Sequence, residues 1–282
     1  MNHLLPVEIE LPDLTIRGLR TSTNQTTKVL CIHGWLDNAN SFYTLGPLLK
    51  SCDVVAIDLP GHGKSDHFKN SVPYTVASSM HYALQVAEKL GWNKYHIVGH
   101  SLGGCIAPMC AVASVDSILS LSLIDALGPI AEQAAVLPDR LCRFHREISL
   151  PANTRLFDSV DDAVAVRMKA VTMTEPAARL IVERQLKPDQ NKLRWGFDNK
   201  ARAASPSYFT ESQVQAILSA IQCPVLCVIA EQGYLVKHQH LKQRTACVKQ
   251  LEKQYLPGNH HLHMDNAEPV AEVINRFLSH IS

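Results

Sequence analysis

The stretch "KYHIVGHSLGGCIAPMCAVAS" narrows the chain's architecture more than any other. "KYHIVGHS" reads as a strand, and "LGGCIAPMCAVAS" as a compact apolar helix. Gly99, His100, Ser101, Leu102 and Gly103 span their junction, a G-x-S-x-G pattern in its strand–turn–helix setting. A chain reversing that sharply crowds the positions two residues either side of the serine, which accounts for Gly99 and Gly103. The strain leaves Ser101 Oγ projecting at the C-terminal edge of a parallel sheet, where open α/β sheets hold ligands. The Leu102 N–H then sits at a helix N-terminus, aimed at developing negative charge. The bland alternative is a Gly-rich turn whose serine only caps the helix, and the setting argues against it.

The rest of the chain supplies the sheet that such a turn requires. "VEIEL" and "LTIRGLR" flank a Pro-Asp turn, "KVLCIHG" is an apolar strand, and "SFYTLGPLLK" a short helical segment. "DVVAIDLPGHG" is a buried strand ending in a Gly- and Pro-rich loop that Asp58 and the glycines shape. Residues 75–90 carry apolar groups at Val76, Met80, Ala83, Ala87 and Leu90, helical spacing closed by Gly91. "ILSLSLIDAL" is another buried strand. This alternation predicts a mostly parallel sheet with helices on both faces. It breaks at residue 128. Residues 128–209 read as helix after helix with no convincing strand, "EPAARLIVERQL" being the clearest. Strand and helix resume with "CPVLCVIA", "KQYLPG" and a last helix striped with Val270, Val273, Ile274, Phe277 and Leu278. One domain follows: a core of 1–127 and 210–282 interrupted by a helical cap at 128–209.

A net charge of +1 creates no field to gather nucleic acid or anionic lipid. The eight cysteines form no CxxC pair, and Cys105, Cys110, Cys223 and Cys227 lie in apolar runs where a thiol acts as a small hydrophobe. "MNHLLPVEIELPD" meets acidic residues before a signal-like core develops, and no apolar run approaches the roughly 18 residues of a membrane span. A cytoplasmic protein without a membrane span is the expectation. Oligomeric state leaves no mark.

An oxyanion site needs a second donor besides Leu102. "HGWLDN" follows the third strand; Gly34 permits close backbone approach, and the Trp35 N–H is the candidate. Its indole lines the acyl pocket or stands in the core or at the rim, and His33 orders the loop.

"HGW" after strand three, "DLPGHGKS" after strand four, "GHSLGG" at the turn and a late "GNHHLHMDNAEP" resemble the α/β-hydrolase superfamily. "HGWLDN" with "PGNHHLHM" is similar, more narrowly, to its serine hydrolase-like branch. The resemblance covers nearly the whole chain, strongly in the core and weakly through the cap. It implies the α/β-hydrolase fold, an eight-stranded sheet with a cap after the sixth strand. It also implies hydrolysis of a small carboxylic ester without a cofactor. Laying "NHHLHMDNAEP" on the family pattern makes His260 the base that takes the Ser101 proton, with His261 the nearest rival. His260, His261 and His263 are too crowded on one loop to close a zinc site.

The acid departs from the family pattern. G-x-x-D is the usual form after "PVLCVIA"; here Ala230 replaces the glycine and Gly233 the aspartate. Asp125, ending the strand after the nucleophile's helix, is the preferred substitute, and Glu231 the alternative. A serine at 101 argues against dehalogenase and epoxide hydrolase chemistry, which need a carboxylate nucleophile. C–C hydrolysis, amide hydrolysis and perhydrolysis use the same set, and a non-catalytic ligand-binding relative is the rival from another class. In the cap, Arg184, Arg194 and Arg202 are candidate contacts for an acidic substrate, surface positions being the commoner case.

Overall fold

A computed structural model describes residues 3–21, 25–69, 72–149 and 155–281. The strands β1 (Leu5–Glu10) and β2 (Thr15–Arg20) form the antiparallel hairpin expected around Pro12-Asp13. Next come β3 (Thr27–Ile32), β4 (Cys52–Ile57), α1 (Val76–Lys89), β5 (Tyr95–His100), α2 (Leu102–Ala113) and β6 (Ile118–Ile124). After residues 128–209 the core resumes with α6 (Glu211–Ala220), β10 (Val225–Ala230), α7 (Leu241–Cys247), β11 (Leu251–Leu256), α8 (Leu262–Asp265) and α9 (Ala267–Ser279). The eight strands order as β1-β2-β4-β3-β5-β6-β10-β11, antiparallel at β1–β2 and β2–β4 and parallel elsewhere.

Alternate residues of the central strands face opposite layers. On β10, Val225, Cys227 and Ile229 belong to the apolar layer that includes α1, α2 and α6, whereas Leu226, Val228 and Ala230 belong to the layer of α9. Both faces are covered, so the strand reads as a continuous apolar run. Each fully buried aliphatic side chain contributes about 1.5–3 kcal/mol relative to exposure. α1 begins with a capping box: Thr75 Oγ1 accepts from Ser78 N–H, and Ser78 Oγ accepts from the Thr75 N–H.

The segment after the sixth strand holds α3 (Leu137–Ile148), β7 (Leu156–Phe157), α4 (Val160–Ala170), α5 (Glu175–Gln185), β8 (Leu186–Asp189) and β9 (Lys192–Trp195). The expectation of helices alone is corrected here. β7, β9 and β8 form a small antiparallel sheet, and the chain reverses between β8 and β9 at Gln190, φ 53°. The segment has its own apolar cluster, with Phe157, Val164, Ile181 and Val182 buried. Met264 of α8 joins that cluster, and polar contacts also tie the segment to the core. Asn38 Nδ2–H donates to Ile181 O (2.8 Å), Trp35 Nε1–H to Ala201 O (2.8 Å), and Arg184 grips Asp58 through Nε and Nη2 (2.7–3.0 Å). Arg184 is therefore a buried ion-pair partner rather than a surface arginine, and Arg194 pairs with Asp189 on the hairpin. Asp58 also accepts from the N–H groups of Ala39 and Lys64, which fixes the loop after β4. Among the described residues, no helix is long and apolar enough to cross a membrane.

Candidate active site

Ser101 sits between β5 and α2 with φ 51° and ψ −110°, a region that costs a non-glycine residue about 1–3 kcal/mol. The flanking glycines make that bend sterically feasible. A Cβ on Gly99 would lie 2.5 Å from Gly103 O, and one on Gly103 would lie 1.9 Å from Ile32 O. Gly103 N–H donates to His33 O (3.1 Å), stitching the start of α2 to the loop after β3. That loop carries Trp35, so the backbone N–H groups of Trp35 and Leu102 come from two stitched segments. Among the described residues, neither N–H donates to another group. His33 is buried; its Nε2 accepts from Leu59 N–H (3.0 Å) and its Nδ1–H donates to Gly34 O (2.7 Å), which orders the loop.

His260 follows β11, and its Nδ1 lies 2.6 Å from Asp125 Oδ2. An ionised carboxylate only accepts, so Nδ1 carries the proton and Nε2 keeps its lone pair. Asp125 also accepts from the N–H groups of Tyr234 (2.8 Å), Ala230 (3.3 Å) and Leu235 (3.3 Å). Burial pushes its pKa up, but the hydrogen bonds from His260 and Tyr234 outweigh that and hold it below the ordinary 3.8. The Tyr234 ring packs against the His260 imidazole at 4.3 Å, tilted by 32°. Glu231 is exposed, so His260 is paired with Asp125 alone of the two candidate acids.

Gly233, where the resemblance leads one to expect the acid, has a structural counterpart. A Cβ there would fall 2.4 Å from Asp125 Oδ2 and 2.5 Å from Oδ1. The carboxylate of Asp125 fills the space that a side chain at 233 would need. An acid at 125 and a glycine at 233 are two halves of one arrangement.

Ser101, His260, Asp125, Trp35 and Leu102 all line one cavity of about 640 Å³. Ile130, Tyr208 and Phe209 from the inserted segment and its end complete an apolar wall, and Arg202 lies at the same cavity. Arg140 and Arg143 line it too, each engaged by a glutamate, Glu132 and Glu147 respectively.

His261 points elsewhere. Its Nε2 lies 3.2 Å from Asp37 Oδ2, away from Asp125. His263 Nε2 lies 2.8 Å from Ser41 Oγ, and burial holds its pKa well below 6.5. His260, His261 and His263 thus face three different partners. A different trio brings possible metal-ligating atoms within 4.8 Å of one another: Asp37, His100 and His261, all buried. The Arg167 guanidinium already sits on Asp37 Oδ1, and a divalent ion would add to that positive charge in a water-excluded site. Asp37, His100 and Arg167 had no role in the sequence reading; "HGWLDN" contains Asp37 but gives no sign of its partner, 130 positions away.

The model of the α/β hydrolase fold family matches residues 27–267. A serine hydrolase-like protein of Dictyostelium discoideum is 29% identical over 89% of this chain and 74% of its own length. A hypothetical protein from Pseudomonas aeruginosa superposes with a TM-score of 0.90 at 32% identity, covering 97% of both chains. The thioesterase domain from the curacin biosynthetic pathway gives 0.87 at 26% identity, covering 97% of this chain and 99% of that one. The chain belongs to the α/β-hydrolase fold family and is a hydrolase of that fold.

Proposed function

We propose that the chain is a cofactor-independent serine hydrolase that cleaves a carboxylic ester through an acyl-enzyme on Ser101. Ser101 Oγ adds to the ester carbonyl while His260 Nε2 takes its proton; Asp125, on Nδ1, holds the ring in the needed tautomer and stabilises the imidazolium. The N–H groups of Trp35 and Leu102 receive the oxyanion; losing one such donor costs about 10²–10³-fold in turnover. Collapse expels the alcohol, protonated by His260. Water then attacks the acyl-enzyme, giving its proton to His260 and releasing the carboxylic acid and Ser101. The 2.6 Å contact between His260 and Asp125, at the cavity that Ser101 lines, carries this reading.

Residues 128–209 act as the cap in this proposal, their apolar residues forming the acyl wall. A cavity of about 640 Å³ is of the size that takes a drug-sized ligand. The similarity to a thioesterase domain makes a thioester the second substrate class to test. A series of p-nitrophenyl esters and matched thioesters of increasing acyl length separates the two. Hydrolysis with a burst of p-nitrophenol supports the acyl-enzyme. A chain that neither hydrolyses any member nor reacts with a fluorophosphonate is a binding protein instead.

A further inference from the structure

Asp37 is 1% exposed and meets residues from three other segments. Its Oδ1 accepts from Arg167 Nη2–H on α4, and its Oδ2 accepts from His261 Nε2–H (3.2 Å). The same Oδ2 lies 3.6 Å from Nδ1 of His100, the last residue of β5 and the one before Ser101. His100 Nε2–H donates to the backbone carbonyl of His260 (2.9 Å). Its ring also packs against those of His260 (4.7 Å), His261 (4.8 Å) and His263 (4.1 Å). Asp37 N–H donates to Gly34 O (3.1 Å), closing the turn that presents Trp35. Asp37, His100, His261 and Arg167 do not line the cavity.

We infer that Asp37 is a positioning residue: clamped by Arg167, it holds His261 and with it the adjoining backbone of His260, whose carbonyl His100 holds in turn, and so aims the imidazole at Ser101. The inference rests on the reading of Ser101 and His260 proposed above. Asp125 fixes how the His260 ring is turned, but it does not fix where the ring stands. That depends on the backbone at 260, and the His260 carbonyl is held by His100. Apolar side chains would fill this space without burying charge, and replacing a buried ion pair that way is often neutral or stabilising. Packing alone therefore does not call for these groups. Geometry does, because a misplacement of about 1 Å in a catalytic group can cost about 10²-fold. The charged and titratable groups around Asp37 are Arg167 from α4, His100 from β5, His261 from the loop after β11, His263 from α8, His33 after β3 and His62 from the loop after β4.

The test uses the full chain with Asp37→Asn, Arg167→Met and Arg167→Lys. Three quantities are read: kcat and KM on a p-nitrophenyl ester, the rate of fluorophosphonate labelling of Ser101, and the low-field proton resonance of the His260–Asp125 hydrogen bond. Asp37→Asn should lower kcat and the labelling rate together by about 10²-fold, leave KM unchanged, and broaden or abolish the resonance. Arg167→Met should act in the same direction and Arg167→Lys should recover most of the loss. A folded Asp37→Asn protein with wild-type kcat and labelling, or with a change in KM alone, overturns the inference. If Asp37→Asn does not fold, Arg167→Met decides, and wild-type behaviour there overturns it. If the wild-type chain itself neither hydrolyses nor labels, the serine hydrolase reading has failed. The resonance then decides the positioning claim: its loss in Asp37→Asn upholds the claim, and an unchanged signal overturns it.

Discussion

His260 and His261 are neighbours in the chain, and each faces a buried aspartate, yet the two pairs differ in what they can reach. His260 and Asp125 line the cavity, whereas His261 and Asp37 are sealed behind it with Arg167. Burial and an aspartate partner therefore do not make a catalytic pair. What separates them is that one imidazole lines the cavity with Ser101 and the other does not. The other spends its contact on Asp37, behind the cavity.

The largest expected effect breaks that comparison directly. His260→Ala should cost roughly 10⁶-fold in kcat, as should Ser101→Ala, because members of such a unit are lost together. His261→Asn should cost about tenfold, through displacement of the loop. Equal losses in ester hydrolysis at 260 and 261 would dissolve the distinction. Next in size, Asp125→Asn should lower turnover about 10⁴-fold by spoiling the histidine tautomer, and Glu231→Gln should leave it at the wild-type rate. Gly233→Ala should displace the Asp125 carboxylate, given the 2.4 Å approach, and cost about 10²-fold. Adding Asp125→Gly to Gly233→Asp moves the acid to its usual position. Partial recovery over Asp125→Gly alone, read in kcat, would confirm that 125 and 233 share one space.

The smallest effect lies in stability against pH. Burial raises the pKa of both aspartates, but Arg167 and the histidines at Asp37, and His260 and Tyr234 at Asp125, bring each below 3.8. A depressed folded-state value means the ionised groups stabilise the fold above 3.8, and that stabilisation is lost as the pH falls through the lowered values. Thermal melts of the wild type should therefore weaken on acidification below pH of about 4, and Asp37→Asn should weaken less steeply. Parallel slopes would mean that Asp37 takes up no proton on acid unfolding.

The parts of this arrangement that were legible in the sequence are those encoded locally. The bend at Ser101 announces itself because its glycines are required by contacts with backbone a few residues away or on the adjacent strand. β10 announces itself because a strand covered on both faces is apolar at every position. Asp125 was harder, since its role depends on the emptiness of Gly233, 108 positions later (233 − 125). The hairpin of β8 and β9 runs on from α5 with four residues per strand, too short for alternation to show, although Pro188 and the turn at Gln190 mark it. Arg184 reads as an ordinary helical arginine because its partner, Asp58, lies 126 positions away. Asp37 and Arg167 were invisible for the same reason: a buried ion pair leaves no periodic trace in either segment.

Intact-protein mass spectrometry of the chain, quenched while it turns over a p-nitrophenyl ester, tests the central claim most directly. One acyl group per chain, mapped to Ser101 and absent from Ser101→Ala, is the predicted result. Wild-type hydrolysis by Ser101→Ala, or an acyl group carried on another residue during turnover, would contradict it.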